Sequence, residues 1–315
     1  MQKKPNDLIT ELFDSIRNGT FHYEKTEDDF NQAFEQSKCP YDLCDGSGYT
    51  VSDNKSVDCR CFKEKVLQKK LENANIPTDF WKANWKQLEE LDHLEQPITL
   101  TYLKPKPVQG KRKVDKRHKK GNEPPETPQQ FIDRTYDAKK RDSLVDFAKG
   151  FSKHALLKLN EKPRTDSFNL LLLGDPGKGK TLMASLIATD FLQQDKSVYF
   201  IRIKTFIDEA YEQKAHFRSI VRKKDLLIID ELFQEYHTDT GWALTQIQDV
   251  IKERQELKLP TIVTTNAFPN ELSELYEGSL MSTFHGEYII GAMEGEVDVR
   301  IYFGRQKQER VDFLQ

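Results

Sequence analysis

The chain has 315 residues, 37% of them hydrophobic and 31% charged, with a formal net charge of -3. That length accommodates one full α/β domain and one or two smaller modules. The acidic balance excludes a uniformly basic protein, so any binding to nucleic acid must come from a local patch. The apolar run Leu170 to Leu173 falls far short of the roughly 18 residues of a membrane span. The polar start, 1–5, has no apolar signal core behind it, and the expectation is a cytoplasmic protein, neither secreted nor membrane-inserted.

In chain order, the first periodic segment is 6–17, where Leu8, Ile9, Leu12, Phe13 and Ile16 fall on one face of a short helix with Asn6 as cap and Gly19 as stop. Such a stripe covers its own small domain or docks on a partner; periodicity does not separate the two. All four cysteines follow, as Cys39, Cys44, Cys59 and Cys61, spaced C-x4-C-x14-C-x-C. Two close pairs separated by a loop can supply four thiolates to one tetrahedral Zn²⁺, and Gly46, Ser47, Gly48 and Asn54 suit the turns of a small ribbon. A disulfide pair and free buried thiols are the alternatives, the first fitting poorly with a reducing compartment. A zinc here would be structural, its module spanning about 36–72.

A helical stretch is expected over 61–71, followed by aromatic anchors at Phe80, Trp81 and Trp85. The run 104–120 carries nine Lys or Arg against one Asp, and 121–128 is proline-rich, so 101–130 reads as a flexible basic linker or insertion. Clustered cations can neutralise phosphates, but Tyr102 is the only aromatic nearby, so any contact would be blind to sequence. A solvated tether explains the run equally well. A helical region is expected over about 131–159.

From Phe168 onward short apolar runs alternate with helical stretches. The candidate strands are 168–173, 198–203, 226–229, 261–264 and 288–290, which predicts an α/β fold with a parallel five-stranded sheet and helices on both faces. Gly174, Asp175, Pro176, Gly177, Lys178, Gly179, Lys180 and Thr181 fit G-x-x-x-x-G-K-[ST], between a strand and an expected helix over 182–192. Glycines let backbone N–H groups curl around phosphates at a helix N-terminus. Lys180 would reach the β and γ phosphates of ATP, and Thr181 would place its hydroxyl on Mg²⁺. The apolar run 226–229 ends in Asp230, expected in the Mg²⁺ shell, and Glu231, expected to polarise water as general base. A β-branched strand ends at Asn266, which either reaches the γ-phosphate or caps the helix before Pro269 and Glu271.

These motifs, with the stretch from Trp242 through Ile251 and Arg254 into 261–266, resemble the helicase-loader ATPases of the DnaC/IstB-like group. The resemblance runs from about Cys39 to Arg300. It implies an AAA+ P-loop NTPase core over 131–315, preceded by a helicase-binding region over 1–100 that carries the cysteine-rich zinc module. It further implies ATP-dependent self-association or engagement of a hexameric replicative DNA helicase, and delivery of that helicase onto single-stranded DNA, with no membrane involved. Asn266 would match a sensor residue and Arg300 a second, arginine sensor. One departure concerns the arginine finger, where Thr283 stands instead, and no arginine lies between Arg254 and Arg300. Slow intrinsic hydrolysis is the expectation, with ATP binding as the switch. The tail 304–315 is expected to be too short for a helical lid. A transposition helper ATPase and a non-hydrolysing ATP-binding adaptor are the other readings.

Overall fold

The computed structural model describes residues 39–52, 55–107, 127–141, 143–212, 214–232, 242–275 and 279–303. The expected helix over 6–17, most of the basic run, most of the proline-rich stretch and the tail lie outside the described residues. The chain divides into two compact units, Met1–Val66 and Leu67–Gln315.

In the first unit, β1 (Tyr49–Ser52) and β2 (Lys55–Asp58) form an antiparallel hairpin. Helix α1 (Arg60–Asn73) starts immediately after Cys59, and the line between the units falls within it. Both hairpin strands are largely exposed. Among the described residues, the buried cluster of this unit consists of Cys39, Cys59 and Cys61, with Tyr41 and Cys44 packed against it.

The second unit opens with α2 (Trp85–Asp92) and β3 (Thr99–Pro105), then α3 (Pro128–Thr135), β4 (Tyr136–Arg141) and α4 (Leu144–Asn160). There follow β5 (Asn169–Leu173), α5 (Lys180–Gln193), β6 (Val198–Arg202), α6 (Ile203–Glu212), α7 (Lys214–Lys223) and β7 (Leu226–Leu232). The remainder is α8 (Trp242–Glu256), β8 (Thr261–Thr265), α9 (Pro269–Leu275), α10 (Ser279–Glu287) and β9 (Tyr288–Glu294). One seven-stranded sheet runs β4-β3-β9-β5-β8-β7-β6. The last five are parallel, and numbering only those in chain order gives 5-1-4-3-2.

All five expected strands are present, but the sheet is larger than the expected five, because β3 pairs antiparallel with both β9 and β4. Two expected boundaries change with it. β3 lies partly inside the stretch expected as linker, and Leu88, Leu91, Ile98 and Leu100 are buried in the second unit's core, so 67–100 belongs to that unit and not to the one that holds the cysteines. The expected helix over 131–159 is interrupted by β4, whose exposed residues show no apolar alternation.

Alternation along β5 explains the layering. Leu170 and Leu172 face a core completed by α2, α4 and α5, whereas Leu171 and Leu173 face one completed by α6, α7, α8 and α10. A strand buried on both faces reads as a continuous apolar run, and at roughly 25 cal/mol per Å² of apolar surface removed from water such runs dominate the stability of the layer. No helix among the described residues is long and apolar enough to cross a membrane.

Candidate functional site

The phosphate-binding loop sits at the carboxyl end of β5, from which the chain crosses to the edge strand β6 while β8 leads back across β5 to β9, the kind of switch point where open α/β sheets bind ligands. Gly177 and Gly179 have φ of +80° and +86°, in the left-handed region that glycine adopts freely. At Gly177 the approach is also close: a Cβ there would lie 2.5 Å from Cγ of Asp298. Helix α5 begins at Lys180, so its unpaired N–H groups face the loop.

Lys180 Nζ donates to the carbonyls of Gly174 at 2.5 Å and Asp175 at 2.8 Å. Burial pushes its ammonium down to about 8, opposed by the charges of Asp230 and Asp175. Thr181 Oγ1 donates to Asp230 Oδ1 at 3.0 Å, and Thr264 Oγ1 donates to the same oxygen at 2.6 Å. Asp230 is buried, which raises its carboxyl above the usual range against the lowering effect of those two hydroxyls.

Next to it, Glu231 takes φ +63°, and a register irregularity between Ile229 and Leu232 interrupts the β7–β8 ladder around it. Such a bulge re-aims a side chain that a regular strand would send into the sheet layer. The Glu231 carboxylate is half-exposed, 3.9 Å from Arg202 Nε. Its backbone N–H donates to Thr264 Oγ1 at 3.1 Å.

A cleft of about 140 Å³ brings together the loop from Pro176 to Leu182 with Phe80, Glu231, Thr264, Asn266, Val299 and Arg300. Glu231, Asn266 and Arg300 thus face the loop together. The capping alternative for Asn266 is not what the structure has, since α9 starts at Pro269 and the Phe268 N–H before it is taken by Glu271 Oε2 at 2.7 Å. Arg300 is bound to Asp298, Nε to Oδ1 at 3.0 Å and a terminal nitrogen to Oδ2 at 2.5 Å. The same segment is tied to the loop by Val299 N–H to the Gly177 carbonyl at 2.8 Å and by Lys178 Nζ to the Val297 carbonyl at 3.1 Å. Thr283 stands half-buried on α10.

Phe80, Arg202, Thr264 and Asp298 were not anticipated in these positions. Only Thr264 had a detectable signal, as a polar residue inside an apolar strand one pairing step from the acids.

In the first unit the four sulfur atoms lie within 4.8 Å of one another. Cys39 and Cys59 sulfurs are 3.8 Å apart, Cys44 and Cys61 sulfurs 3.6 Å. A disulfide requires about 2.05 Å, so the disulfide alternative is not met. Four thiolates about 2.3 Å from a tetrahedral zinc would stand about 3.8 Å apart, and the cluster fits that requirement. Backbone geometry sets it: Asp42 N–H turns back to the Cys39 carbonyl at 3.1 Å, and Cys59 N–H closes the hairpin on the Gly48 carbonyl at 2.7 Å.

Residues 146–284 match the family of IstB-like ATP binding proteins. Among solved structures, a DNA replication initiation factor aligns at 16% identity over 53% of this chain and 50% of its own, TM-score 0.43. The DnaC helicase loader aligns at 20% identity over 48% of this chain and 88% of its own, TM-score 0.41. Domain III of the Thermotoga maritima replication initiation protein DnaA aligns at 21% identity over 52% and 70%, TM-score 0.41. This chain spans about half the length of the first of these. No curated protein matches it.

Proposed function

We propose that this chain is a DnaC/IstB-like AAA+ ATPase acting as a cytoplasmic ATP-dependent loader that delivers a hexameric replicative DNA helicase onto single-stranded DNA, a reading supported by the match of residues 146–284 to IstB-like ATP binding proteins. The observation that supports the ATPase part is the cleft lined by Lys180, Thr181, Glu231, Asn266 and Arg300, with the buried Asp230 hydrogen-bonded to Thr181 behind it. The loader part rests on the resemblance and on a cysteine module joined to the ATPase core, which a transposition helper has no evident use for. The family description favours that helper as the second reading.

MgATP, when bound, supplies the phosphoanhydride to be cleaved and a divalent cation that draws charge off its oxygens. The chain's own residues fit that role. The loop glycines leave room for phosphate oxygens, and Lys180 exchanges two carbonyl partners for them. Thr181 and Asp230, already sharing a hydrogen bond, present adjacent oxygens to the cation. Glu231, aimed out of the sheet, takes a proton from water, and Asn266 orients that water. Self-association would accompany ATP binding, but α10 brings no arginine to a neighbouring site. A trans-acting arginine contributes roughly 10³ to 10⁵ in rate where it operates, so intrinsic hydrolysis is slow and binding itself is the switch. The four thiolates hold one structural Zn²⁺.

The test is loading of the host's purified replicative helicase onto circular single-stranded DNA. Loading should require this chain and ATP, and Lys180→Ala should abolish it. Glu231→Gln should leave ATP binding intact while removing the slow turnover. A chain that leaves the helicase unloaded but delivers a transposase to duplex DNA would overturn the proposal in favour of the helper.

A further inference from the structure

A second, larger cleft of about 430 Å³ lies away from the nucleotide loop, between α4 and the β3–β4–β9 side of the sheet. Arg141, Phe147, Gly150, His154, Phe168 and Ile289 line it. Its wall is aromatic. Phe168 stacks on the buried Phe151 with ring centroids 5.1 Å apart and 30° between planes, and on the exposed His154 at 5.8 Å and 27°.

Its floor lacks a side chain. Gly150 sits mid-way along α4, and a Cβ placed there would meet nothing within 4 Å. Glycine inside a helix is unfavourable relative to alanine, and no close approach of this chain's own backbone requires it here.

The rim is cationic. Directly opposed residues of β3 and β4 share a face, which places Leu100 with Arg141, Tyr102 with Lys139, and Lys104 with Asp137. Leu100 is buried in the same core layer as Phe151, so this face is the one that meets the cleft. Lys104, Lys139 and Arg141 are exposed, and the Arg141 guanidinium lies 5.7 Å from the centroid of the Tyr102 ring. Two steps along an extended strand separate Lys139 from Arg141 by about 7 Å, the scale of successive phosphates on a stretched single strand.

We propose that this cleft and the basic edge beside it bind single-stranded nucleic acid, one unstacked base entering against Phe168 and His154 while flanking phosphates lie along Arg141 and Lys139. The assignment rests on the single-strand reading above and adds the surface that performs it. Ring stacking combined with a cationic track is what sequence-tolerant single-strand binding uses. A duplex keeps its bases stacked and cannot offer one to a recessed wall. An apolar peptide would use the wall but make no use of the exposed cations of β4.

The test uses the full chain with MgATP and a fluorescein-labelled oligothymidylate of about 20 nucleotides, followed by anisotropy. Gly150→Leu fills the cleft while improving helix propensity. It should weaken binding roughly 5- to 100-fold, the scale of one lost stacked base, without lowering the melting temperature or ATP affinity. Arg141→Ala should weaken binding and reduce the salt slope by about 0.7, one phosphate's worth. An iodouracil-substituted strand should crosslink to peptides holding Tyr102, Phe147 or His154. If both variants bind as wild type does and crosslinks map elsewhere, the single-strand reading survives and this surface falls. If the wild-type chain binds no oligonucleotide with or without ATP, both fall together.

Discussion

Asp298 presents its carboxylate to the phosphate-binding loop, with both oxygens 2.6 Å from the point where a Cβ on Gly177 would stand. The paired Arg300 guanidinium holds that carboxyl down to about 2, so it is charged at any working pH. A fixed negative charge at this place opposes an incoming phosphate and occupies the arginine expected to read it. Removing the charge should therefore tighten nucleotide binding. Asp298→Asn is predicted to lower the Kd for MgATP several-fold, since a gain of about 1 kcal/mol corresponds to roughly five-fold. A fluorescent-nucleotide titration measures it. Unchanged or weaker affinity would mean that Asp298 positions Arg300 for the nucleotide instead of competing with it. Residue types demanded by the chemistry, from Gly174 to Thr181 and at Asp230 and Glu231, were legible because few alternatives satisfy that chemistry. Asp298 carried no such signal, because its closeness to Gly177 depends on how the chain returns after β9.

Among the elements, α8 shows how a polar residue can hold a layer together. Ala243, Gln246, Ile247, Val250, Ile251 and Arg254 form its buried stripe. The Arg254 guanidinium donates to Thr261 Oγ1 at 2.9 Å, to the Pro260 carbonyl at 2.7 Å, to the Lys224 carbonyl at 3.0 Å and to the Val221 carbonyl. Those partners lie at the end of α7 and at the start of β8, so one side chain fixes where β7 and β8 begin, and with them the depth of the acids at β7's far end. Replacing it leaves several buried acceptors without donors. Arg254→Leu should destabilise the chain by about 3–5 kcal/mol, read from urea unfolding, and Arg254→Lys should not recover it, because an ammonium cannot span the fork. A loss below about 1 kcal/mol would show that the acceptors find other donors. The apolar strands were legible from their runs. β3 and β4 were not, because an edge pair with one solvated face and few apolar residues carries too little periodicity to stand out from a basic linker.

At the scale of the whole molecule the described parts of the two units differ in what they bury. Leu67–Gln315 buries two extended apolar layers. The described part of Met1–Val66 has for its centre three buried cysteines with Tyr41 and Cys44 against them, and its hairpin is exposed. The buried side chains among the described residues of this unit are by themselves too few to offset the backbone entropy of ordering the loop between Cys44 and Cys59. A zinc held by the four thiolates, as proposed above, would supply that stabilisation, since binding of a structural zinc contributes on the order of 10 kcal/mol to the folding of such small units. The purified chain should therefore carry one zinc, counted by native mass spectrometry. Cys59→Ser or a strong chelator should remove it, and should make the peptide bonds around 39–66 readily cleaved by protease. Every residue lining the nucleotide cleft belongs to the second unit, so ATP affinity should stay within about two-fold of the intact protein. Helicase loading should be lost if the cysteine module is the docking element. A metal-free chain whose 39–66 segment resists protease as well as the untreated protein would refute the structural role of zinc. Loss of ATP binding along with the metal would refute the independence of the two units.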